Sequence, residues 1–486
     1  MTSPPQAVAD AGDDRGVRTG ARSTLPASIG LVLSLGVIAW AMALPELADW
    51  NIHVNSFPPL HAEWDPRVGP GTVPALVVGA VTLGWARRFS TTASWRALLV
   101  GAYLLGVAWF VSLATVDGWD GIGVILESDY EYLDAARTID SWGAVSNLLH
   151  EYIDRIPFTH PDNWRPHVAG HPPGALLFFV LLVALGLGGG LAAGWVVILV
   201  GATTPLAVLV TLRTLGAEHH ARLIAPLLVV GPAAIWMAVS GDAVFAAIAA
   251  WGLALLARSA TRTTALAVAL WGLLAGLVLG YCVMMSYGLT ALGLLSLAVL
   301  FVARNARPLP WAVLSASAVV GAFAVAGFAW WEAFPVLRER YYDGTARNRP
   351  ITYWWWGNLA ALSVSAGPLV GSSVVTALTR ARAALSAAGG RSGGGALAGA
   401  RDDRDAAEPP CASTRAVVIL TLAALLTIVA VDATGMSKAE VERIWLPFVP
   451  WLLLGAALLS PRWRAAGLAI QVVGAVVVQH LLFTGW

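Results

Sequence analysis

Residues 117–172 form a long polar segment between apolar runs, and they read DGWDGIGVILESDYEYLDAARTIDSWGAVSNLLHEYIDRIPFTHPDNWRPHVAGHP. The apolar run 97–115 precedes this segment, and another apolar run begins at 173. Ten of the chain's 29 acidic residues lie in it: Asp117, Asp120, Glu127, Asp129, Glu131, Asp134, Asp140, Glu151, Asp154 and Asp162. Because lipid tolerates no exposed polar backbone, the segment should lie at a membrane surface, where chemistry is expected.

Composition sets the class of protein. The chain has 486 residues, of which 57% are hydrophobic and 12% are charged, whereas a soluble domain has about 25% charged residues. Apolar runs of about 18 residues or more recur along the chain, and each can cross roughly 30 Å of hydrocarbon. We therefore expect an all-α, polytopic helical membrane protein with about thirteen transmembrane helices. The net charge of +1 does not indicate a nucleic-acid partner.

Arginines between the apolar runs predict the orientation. Arg87, Arg88 and Arg96 lie between the second and third runs, and the positive-inside rule places such a turn in the cytoplasm. The segment 117–172 is then extracytoplasmic. The same reasoning places the turn at 240–242 and the loops 333–356 and 433–444 on the outside.

The remaining segments predict the domain organisation. Residues 1–24 are polar and predict a disordered cytoplasmic N-terminus, followed by a single transmembrane domain over 25–486. Within it, the glycine-rich stretch 378–414 predicts a flexible cytoplasmic loop. The apolar run 173–187 is short, and the arginine count favours a re-entrant or surface helix there.

A helix is predicted from about 129 to 140. Ser128 and Glu131 have the spacing of a capping box, and the inward face would hold Tyr132, Leu133, Ala136 and Ile139. Glu131 and Asp134 would then point to solvent, as a cap residue and a solvated side chain. Asp129 falls on the inward face, where an unpaired carboxylate is costly. It could be a helix-start residue that meets the dipole, but a general base or a metal ligand is the favoured interpretation.

Three stretches give the sequence a resemblance to a family. They are Glu127-Ser128-Asp129 with Tyr132, Ala136, Arg137 and the later His171-Pro172-Pro173-Gly174; Ser240-Gly241-Asp242; and Glu440-Val441-Glu442-Arg443-Ile444-Trp445. Their order resembles integral membrane glycosyltransferases of the GT-C class, which use polyprenyl-phosphate sugars and include the protein O-mannosyltransferases and aminoarabinose transferases. The family form has adjacent Asp-Glu and ends His-Pro-Pro-Leu, whereas this chain has Ser128-Asp129 and Gly174.

The resemblance implies transfer of a sugar from a polyprenyl-phosphate donor to an extracytoplasmic glycan, lipid or protein. Asp129 is the expected general base, with Glu127 as the alternative. Cations expected to meet the donor phosphate are Arg443, Lys438, Arg338, Arg340, Arg347 and Arg349. Further expected site residues are Asp242, His171, Tyr132 and Glu442. Asp129 and Asp242 could share a divalent ion, Mg²⁺ or Mn²⁺, although Asp242 could instead orient an arginine.

Other interpretations stay open at this point. Any one of the external arginines could simply reach toward lipid headgroups, and His160, His167 and His171 lack a helical zinc-binding spacing. The rival function is a transporter or flippase of a lipid-linked or anionic substrate, which should place charged or helix-breaking residues at mid-membrane depth. The preference for arginine over the single lysine, Lys438, resembles proteins of GC-rich bacterial genomes, in particular actinobacterial ones, so the plasma membrane of a bacterium is the expected location.

Overall fold

The computed structural model describes residues 14–54, 57–128, 130–389 and 412–485, and only the backbone of 14–23 and 387–389. It is 75% helical. In chain order the α-helices are Asp14–Leu47, Thr72–Val81, Arg87–Thr92, Trp95–Ala114, Asp120–Gly123, Leu133–Arg137, Trp142–Glu151, Pro166–Gly170, Pro173–Ala184, Gly190–Gly201, Thr204–Thr214, Glu218–Val229, Ala233–Met237, Gly241–Ala260, Ala265–Met285, Leu292–Ala303, Leu309–Val325, Trp330–Asp343, Ile351–Ser365, Leu369–Thr379, Ala381–Gly389, Ala412–Asp432, Val441–Ile444, Val449–Leu452 and Pro461–Leu481.

Shorter helical turns and one small sheet complete the described fold. A π-helical turn, Thr82–Ala86, joins two α-helices, and the 3₁₀ turns are Thr115–Asp117, Ile125–Glu127, Tyr287–Ala291, Thr345–Arg347 and Leu453–Leu458. The strands Glu63–Trp64 and Leu482–Phe483 pair antiparallel, with Glu63 opposite Phe483. This pairing fastens the end of the last long helix to the segment before the second apolar run.

Among the described residues, seven helical segments are long and apolar enough to cross a membrane: Thr24–Leu47, Trp95–Asp117, Gly190–Thr214, Gly241–Ala260, Ala265–Met285, Ala412–Asp432 and Pro461–Leu481. Two bent helix pairs raise the number to nine at most. A helical protein with several membrane-length helices is therefore what the sequence predicted, but thirteen spans are not confirmed. The run 173–187, for example, is a helix of only 12 residues, Pro173–Ala184, which is about 18 Å long.

Two apolar runs that look continuous in sequence are broken by glycine and proline. The first breaks at Gly231-Pro232, between Glu218–Val229 and Ala233–Met237. The second breaks where Ile351–Ser365 and Leu369–Thr379 meet at 107°, around Gly367, whose φ is +79°, and Pro368. Proline cannot donate the helical hydrogen bond, and the positive φ suits glycine.

Both breaks face the same buried side chain, Gln471, in the middle of Pro461–Leu481. Gln471 Nε2 donates to the Ala366 carbonyl oxygen at 2.7 Å, which a broken helix would otherwise leave unpaired. A Cβ on Gly231 would lie 3.2 Å from the same nitrogen, and one on Gly367 would overlap Gln471 Oε1. Gln471 therefore joins two helix breaks inside the bundle, as membrane-buried backbone requires.

The bundle has two distinct ends. At one end, Gln479 Nε2 donates to Asp117 Oδ2 at 2.8 Å, so the long helices that end at 117 and 481 meet the acidic segment there. At the other end, the Arg222 guanidinium donates to the carbonyl oxygen of Ala93 at 2.8 Å, beside the start of Trp95–Ala114. The first end carries the candidate site and the second carries a group of arginines.

Segment boundaries differ from the sequence expectations in two further places. The first helix begins at Asp14, inside the stretch 1–24 that was expected to be disordered. The expected flexible loop 378–414 begins as the helix Ala381–Gly389 and ends inside Ala412–Asp432. Residues 390–411 lie outside the described part of the chain.

Close helix packing at glycines is the basis of a stability prediction. A Cβ on Gly30 would lie 2.1 Å from the Gly371 carbonyl oxygen, whereas a Cβ on Gly36 of the same helix would meet nothing within 4 Å. Gly30→Ala should therefore push two helix backbones apart, at a cost of about 1–3 kcal/mol. The melting temperature of the detergent-solubilised protein is the measurement. Gly36→Ala is the matched control and should be neutral or slightly stabilising, because alanine favours a helix; equal melting temperatures for the two variants would contradict this packing.

Candidate functional site

Asp242 stands at the start of a long, mostly buried helix, Gly241–Ala260. Ser240 precedes it in an extended conformation, so the helix begins abruptly. Gly241 lets the ring of Tyr132 approach, because a Cβ there would lie 2.9 Å from Tyr132 Cε2. The Asp242 carboxylate lies in the first turn, where the helix dipole favours negative charge, and it is only 3% exposed.

A second element, the short helix Val441–Ile444 with the turn before it, brings Arg443 to Asp242 and places Glu440 beside Arg443. Ala439 and Glu440 have φ values of +71° and +62°, a conformation that costs energy for residues other than glycine. Asn358 holds this turn, because its Oδ1 accepts from the Ala439 N–H at 3.2 Å and its Nδ2 donates to the Ser437 carbonyl oxygen at 2.5 Å. A strained turn that is fixed in this way is typical of functional sites.

Arg443 is the centre of the resulting group of side chains. Its Nη1 donates to Asp242 Oδ2 at 2.5 Å, and its Nη2 lies 3.1 Å from His167 Nε2 and 3.5 Å from Glu440 Oε2. The arginine is 3% exposed. We call this group the Arg443 cluster and define it as Glu131, Tyr132, His167, His171, Asp242, Glu440, Glu442 and Arg443.

Glu131 enters the cluster through His167. Glu131 is 1% exposed, and its Oε1 lies 3.2 Å from His167 Nδ1. Since Arg443 can only donate, His167 Nε2 is the acceptor of that contact and the proton of a neutral ring stands on Nδ1, toward Glu131. Glu131 Oε2 has no hydrogen-bond partner among the described residues.

Tyr132 and His171 contact each other within the cluster. The Tyr132 hydroxyl lies 2.8 Å from His171 Nδ1, and the same nitrogen lies 2.8 Å from the His167 carbonyl oxygen. The Tyr132 ring stacks on Phe179 with centroids 5.0 Å apart. Burial lowers the pKa of His171 to about 4, so this histidine is neutral at physiological pH.

Glu442 is the most deeply buried carboxylate of the cluster. It is 0% exposed, and its Oε1 accepts from the backbone N–H of His61 at 3.1 Å. Its Oε2 has no hydrogen-bond partner in the part of the chain that the structure describes. Burial raises the pKa of Glu442 to about 7, and a carboxyl group that titrates near pH 7 is suited to exchange protons with a substrate.

The other charges keep Arg443 and Glu440 ionised. Burial by itself would lower the pKa of Arg443, but Asp242, Glu440 and Glu131 raise it above its usual value. Burial by itself would raise the pKa of Glu440, but Arg443 and then Arg349 lower it. The cluster therefore holds one permanent central cation surrounded by carboxylates.

Several sequence predictions for the acidic segment are wrong. The helix is Leu133–Arg137 rather than 129–140, and Tyr132 is its N-cap without a side-chain capping bond, so Ser128 and Glu131 form no capping box. Glu131 is buried and does not face solvent. Asp134 is more than a third exposed, beside Arg137 and Arg165, as expected of a solvated side chain.

The structure describes only one of the two candidates for the general base. Asp129 lies outside the described residues, so its role stays a prediction. Glu127 forms an ion pair with Arg137 and accepts from the Gly190 N–H at 3.1 Å, and these contacts lower its pKa, Arg137 first. Glu127 thus fastens the acidic segment to the helix Gly190–Gly201, which is a structural role.

The six predicted phosphate-binding cations are distributed over different environments. Arg443 is in the cluster, and Arg349 borders it by donating to the Lys438 carbonyl oxygen at 2.6 Å. Lys438 Nζ donates to the Ala346 carbonyl oxygen at 3.0 Å. Arg340 is buried elsewhere, where it donates to the carbonyl oxygens of Ile156 and Trp164. Arg338 and Arg347 are exposed.

No group of three or more His, Cys, Asp or Glu side chains that could hold a metal ion occurs among the described residues. Asp242, one of the two predicted metal ligands, pairs with Arg443, a contact in keeping with the alternative that it orients an arginine. The predicted Mg²⁺ or Mn²⁺ requirement depends on Asp129 and stays a prediction.

The sequence missed Glu131, His167, His61 and Glu440 as members or neighbours of the site. An available signal for Glu440 was its place in the stretch Glu440-Val441-Glu442-Arg443, which carries part of the family resemblance. Comparisons of the chain with protein-family models, with curated proteins and with solved structures found no match.

The raised pKa of Glu442 predicts a pH dependence of stability. A carboxyl group whose pKa rises from 4.5 to about 7 on folding binds its proton more tightly in the folded state. It therefore destabilises the fold progressively as pH rises from 4.5 to 7, by up to about 3 kcal/mol. Glu442→Gln removes this ionisation, so between pH 5 and 8 its melting temperature should fall less than that of the wild type. A variant whose melting temperature falls as steeply as the wild type would contradict the assignment.

Proposed function

We propose that the chain is a membrane glycosyltransferase of the GT-C type, which moves a sugar from a polyprenyl-phosphate donor to an extracytoplasmic glycan, lipid or protein. One observation carries the proposal. Residues that carry the family resemblance lie far apart in sequence, at 132, 171, 240–242 and 440–443, yet Tyr132, His171, Asp242, Glu440, Glu442 and Arg443 belong to the one Arg443 cluster. Helix packing alone would not require buried charges to converge at one end of the bundle.

The proposed reaction breaks the bond between the sugar C1 and the phosphate oxygen and forms one between C1 and the acceptor oxygen. The acceptor hydroxyl gives its proton to the carboxylate of Asp129, and polyprenyl phosphate leaves as an anion. A positioned base of this kind contributes roughly 10²–10⁴-fold to the rate. Glu131 follows Asp129 by two residues and is held by His167, so the segment next to the proposed base is fixed to the cluster.

The contacts of Arg443 refine its proposed role. Its guanidinium already contacts Asp242 and Glu440, so a donor phosphate there would meet carboxylates as well as the arginine. We infer that Arg443 mainly positions the carboxylates. Arg347 is exposed and follows Ala346, whose carbonyl oxygen accepts a hydrogen bond from Lys438. Arg347 is therefore better placed than Arg443 to meet the donor phosphate. Arg338, also exposed, precedes the helix turn that holds Arg340 against the acidic segment.

A divalent cation would neutralise charge on the departing phosphate. The Asp242 carboxylate is a poor fit for such an ion while Arg443 occupies it. The single oxygens of Glu131 and Glu442 without hydrogen-bond partners among the described residues are the atoms that could accept one.

A transporter or flippase of a lipid-linked or anionic substrate is the second candidate, and one observation favours it. The two helix breaks that meet at Gln471 lie within the bundle, and discontinuous helices near the bilayer midplane are common in transporters. The space next to Gln471 is only about 30 Å³ and is lined mostly by apolar side chains, so it holds little more than a water molecule. The acidic cluster therefore supports surface chemistry more strongly.

The purified protein, incubated with a panel of polyprenyl-phosphate sugars and acceptor lipids, tests the two functions together. A transferase should release polyprenyl phosphate and label an acceptor, as measured by mass spectrometry. A transporter reconstituted in liposomes should instead move the intact lipid-linked sugar across the bilayer. Movement of the intact molecule without release from any donor would reject the transferase.

Asp129→Asn tests the proposed base. The substitution keeps the shape of the side chain and removes the charge, so turnover should fall by at least roughly 10²-fold, while the melting temperature stays near that of the wild type. Rates of sugar transfer under saturating donor are the measurement.

Glu127→Gln is the matched control for that experiment. Because Glu127 pairs with Arg137 and Gly190, its loss should lower the stability by about 1 kcal/mol and leave most of the turnover. Normal turnover in Asp129→Asn, or a large loss of turnover in Glu127→Gln at unchanged stability, would place the base elsewhere.

A further inference from the structure

A second polar site lies at the end of the bundle opposite the Arg443 cluster. It is a pocket between the helices Arg87–Thr92, Glu218–Val229 and Pro461–Leu481. Pro461–Leu481 begins here and reaches the acidic segment only at its far end, where Gln479 binds Asp117. About the length of a helix of 21 residues, or roughly 30 Å, thus separates the start of this helix at the pocket from its contact with the acidic segment.

Two arginines and two hydroxyl groups provide the polar side of the pocket. Arg87, Ser90 and Thr91 come from one helix, and Arg464 comes from the last long helix. None of the described residues that line the pocket is acidic. Two guanidinium groups that share one space with no carboxylate to neutralise them favour an anion, and arginine matches the geometry of a phosphate.

The basic side chains next to the lining add no net positive charge to the pocket. His220 lies on Glu218–Val229, and burial, then His219, Arg380 and Arg464, lower its pKa to about 4, so it is neutral at physiological pH. Arg222 of the same helix is neutralised by Glu218 at 2.8 Å and donates to the Ser90 carbonyl oxygen at 3.2 Å. Glu218 is therefore already engaged by two arginines, since Arg213 also lies 2.9 Å from its carboxylate.

The size of the pocket and the apolar residues of its lining indicate what kind of anion it fits. Its volume is about 110 Å³, several times the roughly 10–15 Å³ that one water molecule needs. Leu223, Leu227 and Leu468 supply the apolar part of the lining. An anionic group attached to an apolar chain would match both the arginines and the leucines of the lining.

We propose that this pocket binds a phosphate group, and that the apolar wall favours a phosphate carried by a membrane lipid over a free one. The proposal is independent of the glycosyltransferase function, because the pocket shares no residue with the Arg443 cluster. A basic pocket between membrane helices is a known type of site for anionic headgroups. A bound lipid there would hold three helices together at this end of the bundle.

The experiment titrates the full-length detergent-solubilised protein with phosphatidylglycerol, with phosphatidylcholine and with inorganic phosphate. Lipid retention in native mass spectra and the shift in melting temperature are the measurements, because a ligand that binds only the folded state raises its stability. Phosphatidylglycerol should bind and stabilise more than phosphatidylcholine. Stabilisation by inorganic phosphate alone would support the phosphate site and identify a soluble source.

Arg87→Gln is the decisive variant, because Arg87 is exposed and its loss should not impair folding. It should weaken phosphatidylglycerol binding about fivefold. Arg88→Gln, an exposed neighbour that does not line the pocket, is the matched control and should bind as the wild type does. Equal binding by Arg87→Gln and wild type, or equal binding of the two lipids by the wild type, would overturn the proposal.

Discussion

The buried ion pair between Arg443 and Asp242 is the interaction on which the candidate site depends. In a chain with 12% charged residues, each buried charge is costly unless an opposite charge and hydrogen bonds compensate it. Arg443 satisfies this condition only when the turn at 438–440, the start of Gly241–Ala260 and the helix carrying His167 are all in place. The pair therefore fixes the relative positions of segments that are up to about 200 residues apart, at 242 and 443. Removal of Arg443 would take its cation from the Asp242 carboxylate, whereas removal of Asp242 would leave Arg443 with Glu440 at 3.5 Å.

Buried polar groups in the middle of the bundle also need hydrogen-bond partners. Gly231-Pro232 and Gly367-Pro368 interrupt helices where lipid or protein surrounds the backbone, and the amide of Gln471 donates to one of the freed carbonyl groups. Small residues let the chains approach closely at these positions. The break at Gly231-Pro232 shortens the expected span 222–240 below membrane length, and the bend at Gly367-Pro368 makes 351–379 a bent pair. The expected spans 288–303 and 445–460 correspond to helices too short to cross by themselves, Tyr287–Ala303 and Val449–Leu458.

The two ends of the bundle differ in charge because carboxylates collect at one end and arginines at the other. Carboxylates surround one arginine at the end that carries the acidic segment. At the opposite end, Arg87 and Arg464 line a pocket whose described residues include no acid. An asymmetry of this kind agrees with the positive-inside rule, under which the acidic end faces outward, and it separates a proposed reaction site from a proposed lipid site.

The sequence by itself determined the class of the protein, because apolar runs of membrane length and a scarcity of charge are local properties that hydropathy measures directly. The resemblance to the GT-C class also singled out Asp242, Tyr132, His171, Glu442 and Arg443, which lie together in the Arg443 cluster, and their roles stay predictions. Only the tertiary structure decided that Glu131 is buried, since its environment depends on His167, 36 positions away, and on a helix that begins at Leu133. The span count also needed the structure, because hydropathy stays high across Gly231-Pro232 and Gly367-Pro368 although the backbone turns there. Local composition thus predicts which segments enter the membrane, whereas burial of a charge is decided by its distant partner.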